Sequence, residues 1–428
     1  MNLDQIALED GAETTKAQPT LFDGLRQTMT EAFQLTADSL NIYGATYDHW
    51  VMAYSGGKDS SLLVTLVMQL IANGNVQAPK SLTVLYADTR MELPPLQNSA
   101  MAVMDRLREL GCDCRVVLPK MEDRFFVYMF GRGVPPPSNT FRWCTSQIKI
   151  EPMMAALADL RAKAGQKLLM LTGVRIGESA QRDARISLSC GKNGAECGQG
   201  WFQETTPEHI ADTLAPILHW RVCHVWKWLR FWAPQGNFPT ERVADAYGGV
   251  EAEEVNARTG CVGCNLAARD TALETLLTDP RWQYLHPLME LRALYAELKK
   301  PHNRLRKINE RVKSGALSKN QGRMGPLTME ARRWGMSQVL DIQDRVNVGA
   351  RAAGDPEYFL INEEEQLAIE QLIAANTWPQ KWTGEEQLAS LPFEERDSAT
   401  GLVQGTLLDQ ILDGEIVGIY EIIDEVAA

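Results

Sequence analysis

The chain has 428 residues, a formal net charge of −12, 45% hydrophobic and 23% charged residues, enough to bury one large core or two or three smaller ones. No apolar run reaches the ~18 residues of a membrane span. The polar, acidic start MNLDQIALEDGAETTKAQPT lacks the basic flank and apolar centre of a signal peptide, so the expectation is a cytoplasmic protein, away from the membrane, with a mobile arm over residues 1–20. The negative charge is unevenly spread. Residues 299–333 hold 11 Lys/Arg against two Glu, and residues 354–428 hold 17 Asp/Glu against two basic residues. A basic block inside an acidic chain fits contact with a polyanion or a plain solvated helix.

Residues 21–44 predict a helix closed by Gly44. WVMAYS is an apolar run of strand length, and SSLLVTLVMQLIANG places apolar residues at helical spacing up to Gly74. SLTVLYADT predicts a second strand, LPPLQNSAMAVMDRLRELG a helix ended by Gly111, CRVVLP a third strand, and KLLMLTGVR at 167–175 a fourth. Val- and Leu-rich strands alternating with helices predict an α/β fold: a flavodoxin-like parallel sheet with helices on both faces, over residues 21–185. Residues 186–350 read as a Cys-containing, basic, mostly helical extension. It includes the aromatic stretch PILHWRVCHVWKWLRFW and helices over 286–315 and 327–348. Residues 351–428 read as an acidic C-terminal unit.

Between the first strand and its helix stands SGGKDS, Ser55 to Ser60. A glycine turn there aims backbone N–H groups and the positive end of the helix dipole at an anion. Gly56 and Gly57 let a phosphate approach the backbone. Lys58 adds charge, and Ser55, Ser60 and Ser61 add hydroxyls. Asp59 would repel phosphate, so it is expected to hold Mg²⁺ or cap the helix. The spacing is not that of a Walker loop. It resembles the PP-loop of the ATP pyrophosphatase superfamily, whose members cleave ATP between its α and β phosphates.

Three further segments belong with it: YADTRMELPP, with Asp88 and Thr89 ending the second strand; FRWCTSQIKIEP, with Arg142, Cys144, Lys149 and Pro152; and TGVRIGESAQR, with Gly173, Arg175, Glu178, Ser179 and Arg182 after the fourth. In this order they resemble the phosphoadenylyl-sulfate (PAPS) reductase family, and Arg and Lys in such a crevice would clamp phosphate or sulfate oxygens. The assimilatory reductases carry a nucleophilic C-terminal cysteine. Here the last cysteine is Cys264, which counts against that activity.

The segment Gly325-Pro326-Leu327-Thr328-Met329-Glu330-Ala331-Arg332, with SGGKDS, RWCT, GVRIGES and GCVGC, resembles the DNA phosphorothioation sulfurtransferases of the DndC and SspD types. That resemblance implies ATP with Mg²⁺, DNA as substrate, a cysteine desulfurase as sulfur donor and further phosphorothioation proteins as partners. Lys58, Asp59, Cys144 and Arg175 would be the catalytic group. Cys261 and Cys264, at C-x2-C spacing, are half of a thiolate site for an iron–sulfur cluster or Zn²⁺. Cys190 and Cys197 would complete it and leave Cys144 as a sulfur carrier, or Cys144 would itself join the ligands. Cys112 and Cys114 read as packing thiols, and Cys223 among its tryptophans as core. His219, His224, His286 and His302 have no metal spacing. Arg304, Arg306, Lys307, Arg311, Lys313, Lys319 and Arg323 could track a DNA backbone. Rival readings are a sulfonucleotide reductase, a non-catalytic nucleotide-binding subunit and a tRNA-thiolating adenylase.

Overall fold

The structure is a computed structural model that describes residues 27–177, 207, 209–248 and 260–403. The expected N-terminal arm, Glu178, Ser179, Arg182, Cys190, Cys197 and residues 404–428 lie outside the described residues. The chain divides into two compact units. One comprises Met1–Phe125, Pro137–Arg292 and Asp341–Leu360, the other Phe126–Pro136, Ala293–Leu340 and Ile361–Ala428.

The first unit is built on a parallel five-stranded sheet. Helix α1, Met29–Gly44, starts with a capping box in which Thr28 accepts from the Glu31 amide and Glu31 accepts from Thr28. Then follow β1 His49–Tyr54, α2 Lys58–Ala72, β2 Ser81–Ala87, α3 Pro94–Glu109 and β3 Asp113–Val117. After them come α4 Glu151–Ala164, β4 Leu168–Leu171 and β5 Ala211–Leu214. The strand order is β3-β2-β1-β4-β5, with every neighbouring pair parallel. Trp50, Val51 and Met52 are consecutive and all at most 2% exposed. Successive strand residues point to opposite faces, so both faces of the sheet are covered. One cluster joins Val51, Leu85 and Leu168 of the sheet to Leu157 and Leu160 of α4. The α/β fold expected for this region is the one found.

Two expectations need correction. Strand β5 is invisible in the sequence pattern because Asp212 and Thr213 break its apolar run. The Asp212 carboxylate accepts from Tyr47 at 2.5 Å and pairs with Lys167 at 2.8 Å. The helix expected over 286–315 is instead a 3₁₀ stretch Pro280–Met289, α-helix Glu290–Leu298, a 3₁₀ turn Pro301–Asn303 and a strand from Arg304. Pro301 is the reason: it disfavours helical backbone at Lys300, which is extended (ψ 150°). The aromatic stretch is helical only from Val222 onward. Its tryptophans are core, with Trp220 Nε1 donating to Thr36 and Trp228 Nε1 to Thr65, both at 2.9 Å.

The second unit holds an antiparallel sheet in the order β7-β6-β8: β6 Arg304–Arg306, β7 Met324–Leu327 and β8 Gln387–Leu388. Gly325 lies under Trp382, where a Cβ would come within 2.0 Å of the ring. Thr328 caps the helix Met329–Ala353 by accepting from the Ala331 amide at 3.1 Å. Arg332 is fully buried and donates to the carbonyls of Phe130 (2.7 Å), Gly131 and Thr377 (2.9 Å). Burial lowers its pKa to about 10. Arg332→Ala strips two buried carbonyls and one half-buried carbonyl of their donor and leaves a cavity. We expect it to destabilise the protein by about 3–5 kcal/mol, read as a fall in the denaturant midpoint, with Arg332→Lys recovering only part of the loss because an ammonium cannot reproduce the planar fork.

Candidate nucleotide site

The order in which the strands are added reverses between β1 and β4, so the loops that leave these two parallel neighbours diverge from a shared crevice at their C-terminal ends. That is where open parallel sheets bind ligands. The loop after β1 is Ser55–Gly57, running into α2. Gly56 has φ +74°, and a Cβ there would stand 3.0 Å from the Ala100 Cβ, so only glycine makes the turn. The serines close the loop on itself: the Ser55 amide donates to the Ser60 hydroxyl at 3.2 Å, and that hydroxyl donates to the Gly57 carbonyl at 3.0 Å. Gly57 is the N-cap of α2 and supplies no side chain. The first-turn amides therefore receive no bond from an N-cap side chain, and the Lys58 amide donates instead to the Tyr247 hydroxyl at 3.2 Å.

Asp59 does not cap the helix. It is 9% exposed, and its carboxylate lies between Arg175 Nε at 2.5 Å and Lys58 Nζ at 3.0 Å. Arg175, 5% exposed, also donates to the Trp220 carbonyl at 3.0 Å. A carboxylate already matched by two cations does not fit a resting Mg²⁺ ligand. Arg175, expected to clamp a phosphate, is the cation that fixes Asp59 here. Gly173 permits this pairing, since a Cβ there would lie 3.0 Å from the Asp59 carbonyl and the Ser60 nitrogen.

The loop after β2 forms the next wall. Asp88 and Thr89 are buried, as their position at the end of a central strand requires. Asp88 accepts from the Arg90 amide at 2.9 Å, which holds Arg90 in the left-handed region (φ 62°). Thr89 donates to Glu92 at 2.7 Å. Glu92 was not singled out from the sequence, although it lies in the segment that carries Asp88. Its second carboxylate oxygen is buried without a hydrogen-bond partner, and burial, then the charge of Asp88, raises its pKa against the pull of Thr89.

The Met91 carbonyl accepts from the Val262 amide at 2.7 Å, which ties this loop to the turn Cys261–Cys264. That turn closes through the Cys264 amide and Cys261 carbonyl at 3.1 Å and is braced by Arg292, which donates to the carbonyls of Cys264, Ala267 and Ala268. Cys144 joins the neighbourhood. Burial raises its thiol pKa, and the charge of Cys264 adds to the shift. Cys261 is exposed as a residue, yet its sulfur is desolvated by the atoms crowded around it, and with Glu92 and Cys264 nearby its thiol is pushed up to about 12. Cys144, Cys261 and Cys264 lie near enough for their charges to act on one another, while Cys190 and Cys197 lie outside the described residues. Among the described residues no three Cys, His, Asp or Glu side chains are arranged to hold a metal ion, so these residues alone do not complete a zinc or cluster site.

Of the basic block, Arg304 is buried and donates to the Gly325 carbonyl at 2.7 Å. Arg306 and Lys307 lie over the rings of Phe393 and Trp382. Arg311, Lys313, Lys319 and Arg323 are exposed. Among the described residues no helix is long and apolar enough to cross a membrane.

Residues 49–232 match the family model of the phosphoadenosine phosphosulfate reductase domain. Over these residues the chain is similar to that domain. An uncharacterised protein of Methanocaldococcus jannaschii is 26% identical over 179 residues, 41% of this chain and 34% of that protein. The chain thus matches about a third of the length of that relative. Three solved structures are similar. The PAPS reductase of Candida auris, in a phosphate complex, has 12% identity and a TM-score of 0.34 over 57% of this chain and 98% of that one. The FMN adenylyltransferase of Candida glabrata, with FMN and the ATP analogue AMPCPP, has 13% and 0.33 over 53% and 65%. The U34-tRNA thiolase NcsA of Methanococcus maripaludis, with its 4Fe–4S cluster, has 15% and 0.31 over 63% and 79%.

Two outcomes test this geometry. Asp59→Asn leaves the buried Arg175 guanidinium without its counter-charge and should destabilise the chain by about 3–5 kcal/mol, while adding Arg175→Met should recover part of that loss, both read by chemical denaturation. Cys112, buried against Met68 at 3.1 Å, has its thiol pushed up by burial to about 12. In native protein at pH 8 it should react with iodoacetamide on the order of 10³-fold more slowly than an ordinary thiol. An unfolded thiol ionises near pH 9 while the folded one keeps its proton. Stability should therefore fall as pH rises from 9 to 12, and Cys112→Ala should flatten that decline.

Proposed function

We propose that the chain is an ATP-dependent sulfurtransferase that adenylates a backbone phosphate of DNA and then replaces the adenylate with sulfur, as in DNA phosphorothioate modification. The observation that carries this reading is the meeting of the Ser55–Ser60 loop and the Gly173–Arg175 loop at the C-terminal ends of β1 and β4. There the first-turn amides of α2 and the Lys58 ammonium supply donors for a triphosphate. The resemblance of GCVGC and the Gly325–Arg332 segment to phosphorothioation enzymes supports DNA as the acceptor, and the four exposed cations of the basic block fit its backbone.

In this mechanism a non-bridging oxygen of the DNA phosphate attacks the α-phosphorus of ATP and pyrophosphate leaves. Lys58 and the first-turn amides stabilise the charge that builds on the departing pyrophosphate. A phosphodiester oxygen is a poor leaving group, and conversion to an adenylate makes it a good one. A partner cysteine desulfurase passes its outer sulfur to Cys144 as a persulfide, whose terminal sulfur attacks the activated phosphorus as AMP leaves. A second thiol then attacks the Cys144 sulfur of the P–S–S–Cys144 linkage, releasing the DNA phosphorothioate and leaving a Cys144 disulfide that a thiol reductant reopens. No step is routed through a metal centre.

The match to the reductase domain favours one alternative, a sulfonucleotide reductase that releases sulfite from PAPS with a thiol reductant and needs no DNA. Purified protein with ATP, DNA and a cysteine desulfurase is expected to release pyrophosphate. Lys58→Ala should cut that rate by about 10²-fold or more, and mass spectrometry should find no phosphorothioate dinucleotides in the DNA of cells carrying the variant. Sulfite release from PAPS, or no pyrophosphate with all components present, overturns the proposal.

A further inference from the structure

Two of the donors that a triphosphate would use, the Lys58 amide and the Lys58 ammonium, are both engaged by one residue that nothing in the sequence marks. Tyr247 ends the 3₁₀ segment Glu241–Tyr247 and is 3% exposed. Its hydroxyl oxygen accepts from the Lys58 amide at 3.2 Å, and the Lys58 Nζ lies 5.1 Å from its ring centroid. A Cβ built on Gly57 would stand 3.2 Å from the same oxygen, so the hydroxyl occupies the space the loop leaves open by having glycine there. An amide carries one proton, so a phosphate oxygen and the tyrosine oxygen compete for it. The phosphate wins, because a hydrogen bond to an ionised oxygen is roughly twice as strong as a neutral one.

We propose that Tyr247 is a positioning residue of the nucleotide site, acting through Lys58. In the ligand-free chain its hydroxyl stands in for a phosphate oxygen and its ring steadies the ammonium. On nucleotide entry the hydroxyl gives up the amide. Tyr247 therefore sets how tightly the triphosphate binds more than how fast it reacts. The inference rests on the reading that this loop binds ATP. A reporter is built in, since Trp226 packs edge-on against Tyr247 with ring centroids 5.2 Å apart.

The test titrates the full-length wild type, Tyr247→Phe and Trp226→Phe with α,β-methylene-ATP, which cannot be cleaved at the scissile bridge. Tyr247→Phe keeps the ring and removes the competing oxygen. Its Kd should fall about threefold to tenfold, the free-energy range of one hydrogen bond. In pyrophosphate-release assays the change should appear in KM far more than in kcat. Nucleotide should alter the tryptophan emission of the wild type, and that alteration should be lost in Trp226→Phe. An unchanged or weaker Kd in Tyr247→Phe overturns the inference, as does an effect confined to kcat. Should Tyr247→Phe fail to fold, the emission test decides alone, and a silent Trp226 on saturation of the wild type overturns it. If neither wild type nor Tyr247→Phe binds the analogue, the ATP reading itself has failed and the inference falls with it. Binding with no Tyr247 effect removes the inference and leaves that reading standing.

Discussion

Asp59 is held between Lys58, its neighbour in the chain, and Arg175, which comes from a different strand. A buried carboxylate survives only where its charge is matched and its oxygens are hydrogen-bonded. That requirement fixes much else. The loops after β1 and β4 must touch, which needs those strands to be neighbours. Gly173 must lack a side chain, because the Asp59–Ser60 peptide lies where its Cβ would be. The same contact ties the start of α2 to the loop after β4. An ion pair of this kind is weak evidence for extra stability. Its value here is positional, as one carboxylate sets the distance between two loops.

The second wall of the crevice follows a different logic. Thr89, Arg90 and Glu92 are arranged by local hydrogen bonds after β2. One backbone bond from Val262 to Met91 then attaches the cysteine turn to them. Thiols and buried carboxylate come from segments some 170 residues apart in the chain, and their pKa values are pushed up together because each is desolvated among like charges.

The second unit shows how a motif can be specific without being chemical. Gly325 is required by the ring of Trp382, Thr328 by the start of its helix, and Arg332 by three carbonyls it ties together. Each residue type is demanded by packing or capping. Arg304, in the middle of the basic block, is likewise consumed by internal bonds, so the charge of that stretch overstates what it offers to a partner.

Strands β1 to β4, their helices and the phosphate loop were legible in the sequence because each rests on local pattern: an apolar run, a 3.6-residue period, glycines between a strand and a helix. Asp88 and Thr89 were legible for the same reason, since a strand that ends there must present them at the edge of the crevice. Strand β5 was not, because its polar residues are stabilised by Tyr47 and Lys167 from elsewhere in the chain. The roles of Asp59 and Arg175, the nearness of Cys144 to Cys261 and Cys264, and the hold of Tyr247 on Lys58 were decided only by tertiary structure. Each joins residues tens to hundreds of positions apart, and periodicity carries no information about which distant side chain will complete a buried group's hydrogen bonds and charge.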